Sequence, residues 1–217
     1  MFTNRTEAGL LLAARLKKFQ HQPGVVLAVP RGGIPVAYEV AKELEMPLDI
    51  ILTKKIGHPT NREYAIGAVS LNDFFIVPHR GISQLYIDQE VKTIRERLKE
   101  MYRKFMGGKE PESLKGKTVI IIDDGIATGN TLLGTVNILR KENPSKIVIA
   151  VPVSSRNAVE KLSKAVDEMI VLLIPEEFHG VGGFYEDFEQ VTDDEVLFIL
   201  NKWKSDLRNG WIGQSRK

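Results

Sequence analysis

The chain has 217 residues, which is enough for one domain with a sizeable core. Its apolar share of 43% and charged share of 27% are ordinary for a globular protein, and a formal charge of +2 makes no electrostatic case for nucleic acid or a membrane surface. The absence of cysteine excludes disulfides, thiolate metal sites and thiol catalysis, and suits a cytoplasmic setting.

Residues 6–19 place Leu10, Leu11, Ala14 and Leu16 at helical spacing among charges, so an amphipathic helix is expected there and not a secretory leader. Asn4-Arg5-Thr6 matches a glycosylation acceptor and, without an export signal, reads as a chance match. The apolar run 25–29, bounded by prolines, predicts a buried strand, and a helix over 34–45 follows, closed by Pro47. Residues 50–53 are the next predicted strand. Residues 65–70 and 74–77 are expected to pair as a hairpin across Asn72-Asp73, and 84–105 reads as a long charged helix ended by Gly107-Gly108. Strands at 119–122, 147–151 and 169–174 then alternate with helices at 131–141 and 157–163, and a last helix covers 193–203. No apolar run reaches the roughly 18 residues needed to span a bilayer.

This alternation predicts an α/β fold, a doubly wound and mostly parallel sheet in a single domain over 1–217. The segment 58–115 breaks the rhythm with a hairpin and a helix polar over much of its surface. It is expected to be an inserted lid.

The most informative string is VIIIDDGIATGNT, residues 119–131. Ligands of open α/β sheets bind outside the carboxyl ends of the strands, and Asp123 and Asp124 stand at such an end. The loop behind them leads into a helix, whose free N–H groups favour an anion. Gly125 and Gly129 allow close backbone approach, Thr128 and Thr131 add hydroxyls, and Asn130 is expected to cap the helix. The two carboxylates suit sugar hydroxyls or a hydrated Mg²⁺. There is no GxxxxGK[ST], and no GxGxxG after any strand, so a phosphosugar with a diol fits better than a nucleoside triphosphate or a dinucleotide.

That string resembles the ribose-5-phosphate signature of the type I phosphoribosyltransferases. Gly125 stands where the family usually has a branched apolar residue, and Ala127 where threonine is frequent. The segment VVLAVPRGGIPVAYEVAKEL, residues 25–44, is similar to the family's pyrophosphate loop, with Arg31, Gly32 and Gly33 and, in many members, a cis or strained peptide. In LTKKIG, Lys54 and Lys55 are either pyrophosphate-binding cations or a surface pair. IPEEFHGVGGFYEDF, from residue 174, resembles the hood of purine-type members and defines a small hood over 174–190. The resemblance puts Phe178 and His179 at the base, and Glu186 or Asp187 near the metal or pyrophosphate, with one residue more than the family pattern. It implies transfer of a phosphoribosyl group from PRPP to a nitrogenous base, with Mg²⁺ held mainly through PRPP and pyrophosphate released. Asp123 and Asp124 would hold the ribose, residues 125–131 the 5-phosphate, and Arg31 and Arg80 the pyrophosphate. His79, Lys92 and Arg95 are further cations of the expected lid, but most charges on 84–105 are expected to be solvated, in Arg/Glu pairs at helical spacing. The layout is closest to stand-alone members of unassigned acceptor. AVPVSSRNAVE, around Ser154, Ser155 and Arg156, lacks the lysine with which purine salvage enzymes read a 6-oxopurine.

The competing class is a non-catalytic PRPP or nucleotide sensor that binds nucleic acid through RERLKEMYRKF or RNGWIGQSRK. Acidic residues interrupt the first and the second is short, so nucleic acid is disfavoured. An amine or phosphate acceptor is a further reading. Trp203 and Trp211 are candidates for a homodimer interface or for the core.

Overall fold

The structure is a computed structural model that describes residues 1–78 and 81–208. Five strands form the central sheet: β1 (Gly24–Ala28), β2 (Leu48–Ile50), β6 (Thr118–Ile122), β7 (Lys146–Val153) and β8 (Glu168–Leu173). Their order is β2-β1-β6-β7-β8 and every pairing is parallel. A second sheet of three antiparallel strands comprises β3 (Lys54–His58), β4 (Asn61–Val69) and β5 (Phe74–Ile76). The helices are α1 (Arg5–Leu16), α2 (Gly33–Leu44), α3 (Gln84–Met106), α4 (Asn130–Arg140), α5 (Arg156–Leu162) and α6 (Asp193–Arg208).

Every residue of β1 and β6 is buried, because helices cover both faces of the sheet. The period of two divides the strands cleanly. Val26, Ala28, Ile120 and Ile122 face α1, α2, α3 and α6. Val25, Leu27, Val119 and Ile121 face α4 and α5. Each such valine, leucine or isoleucine side chain withdrawn from water contributes about 1.5–3 kcal/mol. The doubly wound parallel sheet is therefore as expected, and so are the 65–70 and 74–77 hairpin and the left-handed Gly107 that ends α3.

Three expectations are corrected. Helix α1 buries Ala8, Gly9, Leu12, Ala13 and Leu16, whereas Leu10, Leu11 and Ala14 face outward. Small residues decide this face: a Cβ on Gly9 would stand 2.9 Å from the Val36 carbonyl of α2, so α1 and α2 touch through their smallest side chains. The strand expected at 50–53 lies earlier, at β2, an edge strand that pairs with β1 only up to Ala28. Lys54 and Lys55 accordingly open β3 of the second sheet and do not end a strand of the first. Finally, α3 carries a continuous apolar stripe, Ile87, Val91, Ile94, Leu98, Tyr102 and Phe105, that joins the main core. Tyr102 donates to the buried Asp49 of β2 at 2.9 Å, and burial raises that carboxyl above its ordinary range. Within 58–115, the helix belongs to the core, and the small sheet reaches the same core through Ile66 and Val69, so the segment is not a detached insertion.

Trp203 is buried, edge-on to Tyr38 with ring centroids 6.2 Å apart, and so belongs to the core; Trp211 lies outside the described residues. Among the described residues, no helix is long and apolar enough to cross a membrane.

Candidate active site

β1 and β6 pair residue for residue, Ala28 opposite Ile122, so both strands release the chain at the same level. The loop after β1 is short. Val29 N–H donates to the Ile122 carbonyl at 2.8 Å, Gly33 N–H to that of Val29 at 3.0 Å, and the Pro30–Arg31 peptide is cis. The N–H groups of Arg31 and Gly32 meet no acceptor among the described residues. The glycines have a concrete reason. A Cβ on Gly32 would stand 2.0 Å from Asp124 Oδ2, and one on Gly33 2.7 Å from the Ile122 carbonyl. They admit the neighbouring loop.

That loop carries Asp123 and Asp124. Asp123 Oδ1 accepts the Asp124 N–H at 2.9 Å. Burial raises the Asp123 carboxyl well above its ordinary range, and the adjacent Asp124 charge adds to the effect. Burial also raises Asp124, opposed by Arg5, whose Nε lies 2.8 Å from Asp124 Oδ2. Tyr185 Oη donates to the Asp124 carbonyl at 2.6 Å, and its phenol is pushed upward chiefly by burial. Arg31 Nε is 2.7 Å from Asp193 Oδ1 at the start of α6, and Lys104 Nζ is 2.5 Å from the other oxygen. Lys104 and, less strongly, Arg31 hold the Asp193 carboxyl below its ordinary range.

The segment 125–131 is anchored from behind. Ile126 N–H donates to the Val153 carbonyl at 3.0 Å, Ser155 Oγ donates to Ala127 O at 2.6 Å, and Lys161 Nζ reaches Thr128 O at 3.1 Å and Asn130 Oδ1 at 2.7 Å. Gly129, at φ +69°, is the residue before α4. The expectation that Asn130 caps this helix is therefore corrected: Asn130 is its first residue, and its side chain is taken by Lys161. The backbone N–H groups of Thr128, Gly129, Asn130 and Thr131 have no acceptor among the described residues, which leaves an anion cradle at the helix start. A Cβ on Gly125 would stand 2.5 Å from Val181 Cγ1, so a hood valine fills the space that a branched residue at 125 would take.

Two cavities flank these loops. One of about 500 Å³ is lined by Arg5, Arg31, Gly32, Asp124, Val181 and Phe188. The other, about 620 Å³, lies between the small sheet and α4 and brings Lys55 to Thr128, Asn130 and Thr131. Lys54 lines neither cavity. Phe178 stacks on Phe184, with centroids 5.7 Å apart, in a cluster with Phe2 and Tyr185, and also lines neither. The His179 side chain is 90% exposed, 3.8 Å from Glu177. Asp187 sits in a turn, its N–H on the Thr3 carbonyl and its Oδ1 accepting the Glu189 N–H. His79 and Arg80 lie outside the described residues. Sequence reasoning missed Arg5, Ser155, Lys161, Tyr185, Phe188 and Asp193 as neighbours of the loops, since each meets them only through tertiary packing.

A phosphoribosyl transferase domain model matches residues 6–189. A Mycobacterium tuberculosis protein provisionally named a phosphoribosyl transferase is 35% identical over 212 residues, 95% of this chain and 48% of that protein, so the chain spans about half the length of the curated relatives it matches. The solved structure of the Thermus thermophilus protein TT1426 has a TM-score of 0.84 at 38% identity, covering 93% of this chain and 98% of that one. A ribose-phosphate pyrophosphokinase of Pyrococcus furiosus is 47% identical over 60 residues, 27% of this chain and 22% of that enzyme. The chain belongs to the phosphoribosyl transferase domain family.

Proposed function

We propose that this protein transfers the 5-phosphoribosyl group of PRPP to a nitrogenous base and releases pyrophosphate. One observation carries this reading. Two adjacent parallel strands end in register, one in an arginine–glycine loop and the other in paired carboxylates followed by a helix start whose N–H groups are unengaged. That arrangement offers donors for phosphates and acceptors for a diol within one cleft. The local similarity to a ribose-phosphate pyrophosphokinase agrees with a ribose-phosphate ligand.

The reaction breaks the C1–O bond, with the electron pair leaving on pyrophosphate. The acceptor nitrogen forms the new C1–N bond, and the proton it sheds is taken up by the departing pyrophosphate. The oxocarbenium-like centre demands placement and charge stabilisation more than a strong nucleophile. Asp123 and Asp124 hold the ribose hydroxyls, with Asp124 nearer the reacting carbon. Residues Gly125, Ala127, Thr128, Gly129, Asn130 and Thr131 hold the 5-phosphate, chiefly through backbone N–H groups. Arg31, Gly32 and Gly33 receive the pyrophosphate. Of the lysine pair, Lys55 shares a cavity with the phosphate cradle and is the candidate cation. The small sheet beside it is the candidate cover that excludes water.

No three His, Asp or Glu side chains cluster to hold a metal among the described residues. On this reading Mg²⁺ comes with the donor's phosphates and would neutralise the leaving group, while the Asp187 carboxylate accepts the Glu189 N–H. Phe178 is engaged by Phe184, so a base would meet the hood through another side chain unless that stack opens.

The test is pyrophosphate release from PRPP and Mg²⁺ across purines, pyrimidines and simple amines, with Asp123→Asn plus Asp124→Asn as the control. Acceptor-dependent release that the double variant loses is expected. Intact PRPP affinity in that variant would overturn the ribose assignment, and tight binding without turnover would make the protein a sensor.

A further inference from the structure

The cavity beside Asp124 contains a cation that no motif announces. Arg5 opens α1, far from the loops in sequence, yet its side chain is only 11% exposed and reaches the site. Three contacts fix it. Its Nε donates to Asp124 Oδ2 at 2.8 Å, its NH1 donates to the Glu189 carbonyl at 2.8 Å, and its guanidinium carbon lies 3.9 Å from the centre of the Phe188 ring. A guanidinium has five N–H donors, and these bonds use two of them. No other acceptor among the described residues takes the remainder. No Arg5 nitrogen is among the buried side-chain atoms left without a partner in the described residues, so its remaining donors open onto the cavity that it lines. Arg5 lines the same cavity as Arg31 and Gly32, whose own N–H meets no acceptor among the described residues.

We propose that Arg5 is a binding residue for the diphosphate of the donor, forming with Arg31 a two-arginine anion site and holding Asp124 in place for the ribose. The inference rests on the PRPP reading above for the identity of the ligand. Its chemistry is that of a planar fork meeting phosphate oxygens, pre-organised by an aromatic face and a backbone carbonyl so that little freedom is lost on binding. Asp124 then has two neighbours with different tasks. Gly32 leaves room for its carboxylate, and Arg5 orients it and compensates its charge. Arg31, tethered to Asp193, supplies the second fork.

The test is calorimetric titration of wild type, Arg5→Gln and Arg5→Lys with inorganic pyrophosphate, ribose 5-phosphate and PRPP at one ionic strength. Arg5→Gln should weaken pyrophosphate and PRPP by about 10- to 100-fold, as expected for a lost charge-assisted pair, and ribose 5-phosphate by less than about threefold. Arg5→Lys should recover part of that loss, because it restores the charge without the fork. Should Arg5→Gln lose its fold by circular dichroism, Phe188→Leu removes the supporting ring, keeps the cation and should still weaken pyrophosphate several-fold. Unchanged pyrophosphate affinity in Arg5→Gln would overturn the proposal. So would tighter PRPP binding, which would make Arg5 a plug, and so would equal losses for pyrophosphate and ribose 5-phosphate, which would make it only a support for Asp124. Wild type that binds pyrophosphate through Arg5 but neither ribose 5-phosphate nor PRPP would sink the donor reading and leave the anion site standing. Wild type that binds no pyrophosphate would sink the site itself.

Discussion

The strand–loop–helix unit of β1 and α2 stands beside that of β6 and α4, paired in register, and the two differ in how their loops obtain a shape. The first loop, 29–32, is short, closed on itself by the Gly33 N–H bond to the Val29 carbonyl, and tied to β6 only by the Val29 N–H bond to Ile122, with Gly32 inside it and Gly33 at the helix start. The second, 123–129, is longer and borrows its shape from elsewhere: Val153, Ser155 and Lys161 from the β7–α5 side, Tyr185 and Val181 from the hood, and Arg5 from α1. A short loop carries its geometry in its own residues. A long one that must hold two buried carboxylates needs walls, because an unsupported buried charge is expensive.

The comparison breaks most sharply at Gly32. Its backbone, φ −58° and ψ −33°, is one that any residue adopts, so Gly32→Ala tests the contact between loops alone. A methyl 2.0 Å from Asp124 Oδ2 must displace that carboxylate, and kcat/KM for PRPP should fall by about 100-fold, as for an ångström-scale misplacement of a reacting group. Activity near wild type would show that the loops are not interlocked.

The borrowed walls are tested next. Gly125→Val would meet Val181 at 2.5 Å, and overpacking of this kind destabilises by about 1–3 kcal/mol. Thermal melts should show that loss, and Val181→Ala in the same chain should restore most of it. Additive effects of the two changes would mean that the hood and the loop do not share the space.

A smaller effect concerns charge. Burial raises the folded-state carboxyl of Asp123, so its contribution to stability is fully present below the ordinary carboxylate range and is lost as pH rises through the raised value. Asp123→Asn keeps an acceptor for the Asp124 N–H without the charge. It should be more stable than wild type at pH 8, the gap closing toward pH 4, while transferase activity is lost. Denaturant midpoints across that range provide the check, and a gap independent of pH would contradict it.

The smallest effect is expected at the rim. Lys104 is half exposed where it meets Asp193, so water and salt screen the pair, and Lys104→Ala should leave the denaturant midpoint nearly unchanged. A clear fall in that midpoint would mean that Asp193 depends on Lys104 to hold Arg31.

The chain's local signals announced the short loop almost completely. PRGG between an apolar run and a helix pattern names its residues, although the glycines answer to Asp124 and the Ile122 carbonyl as much as to any ligand. The long loop was legible only in its own string. Asp123, Asp124 and the residues before α4 could be placed at a strand end because strands buried on both faces read as continuous apolar runs. Asn130 was misread as a cap because the position of a helix start to within one residue depends on Gly129 adopting a left-handed backbone. The face of α1 was misread because Leu10 and Leu11 carry the stronger apolar signal, whereas close helix packing selects Ala8, Gly9 and Ala13.

The sequence by itself determined four of the five strands of the central sheet, the helices, the two loops, and the carboxylates and glycines within them; the edge strand β2 was placed too late. All of these rest on periodicity and local backbone chemistry, which act over a few residues. Only the tertiary structure decided what surrounds Asp124: a guanidinium from residue 5, a phenol from residue 185 and the missing Cβ of residue 32. Burial turns those distant groups into neighbours, and a carboxylate withdrawn from water is governed by its neighbours in space, whatever their distance along the chain.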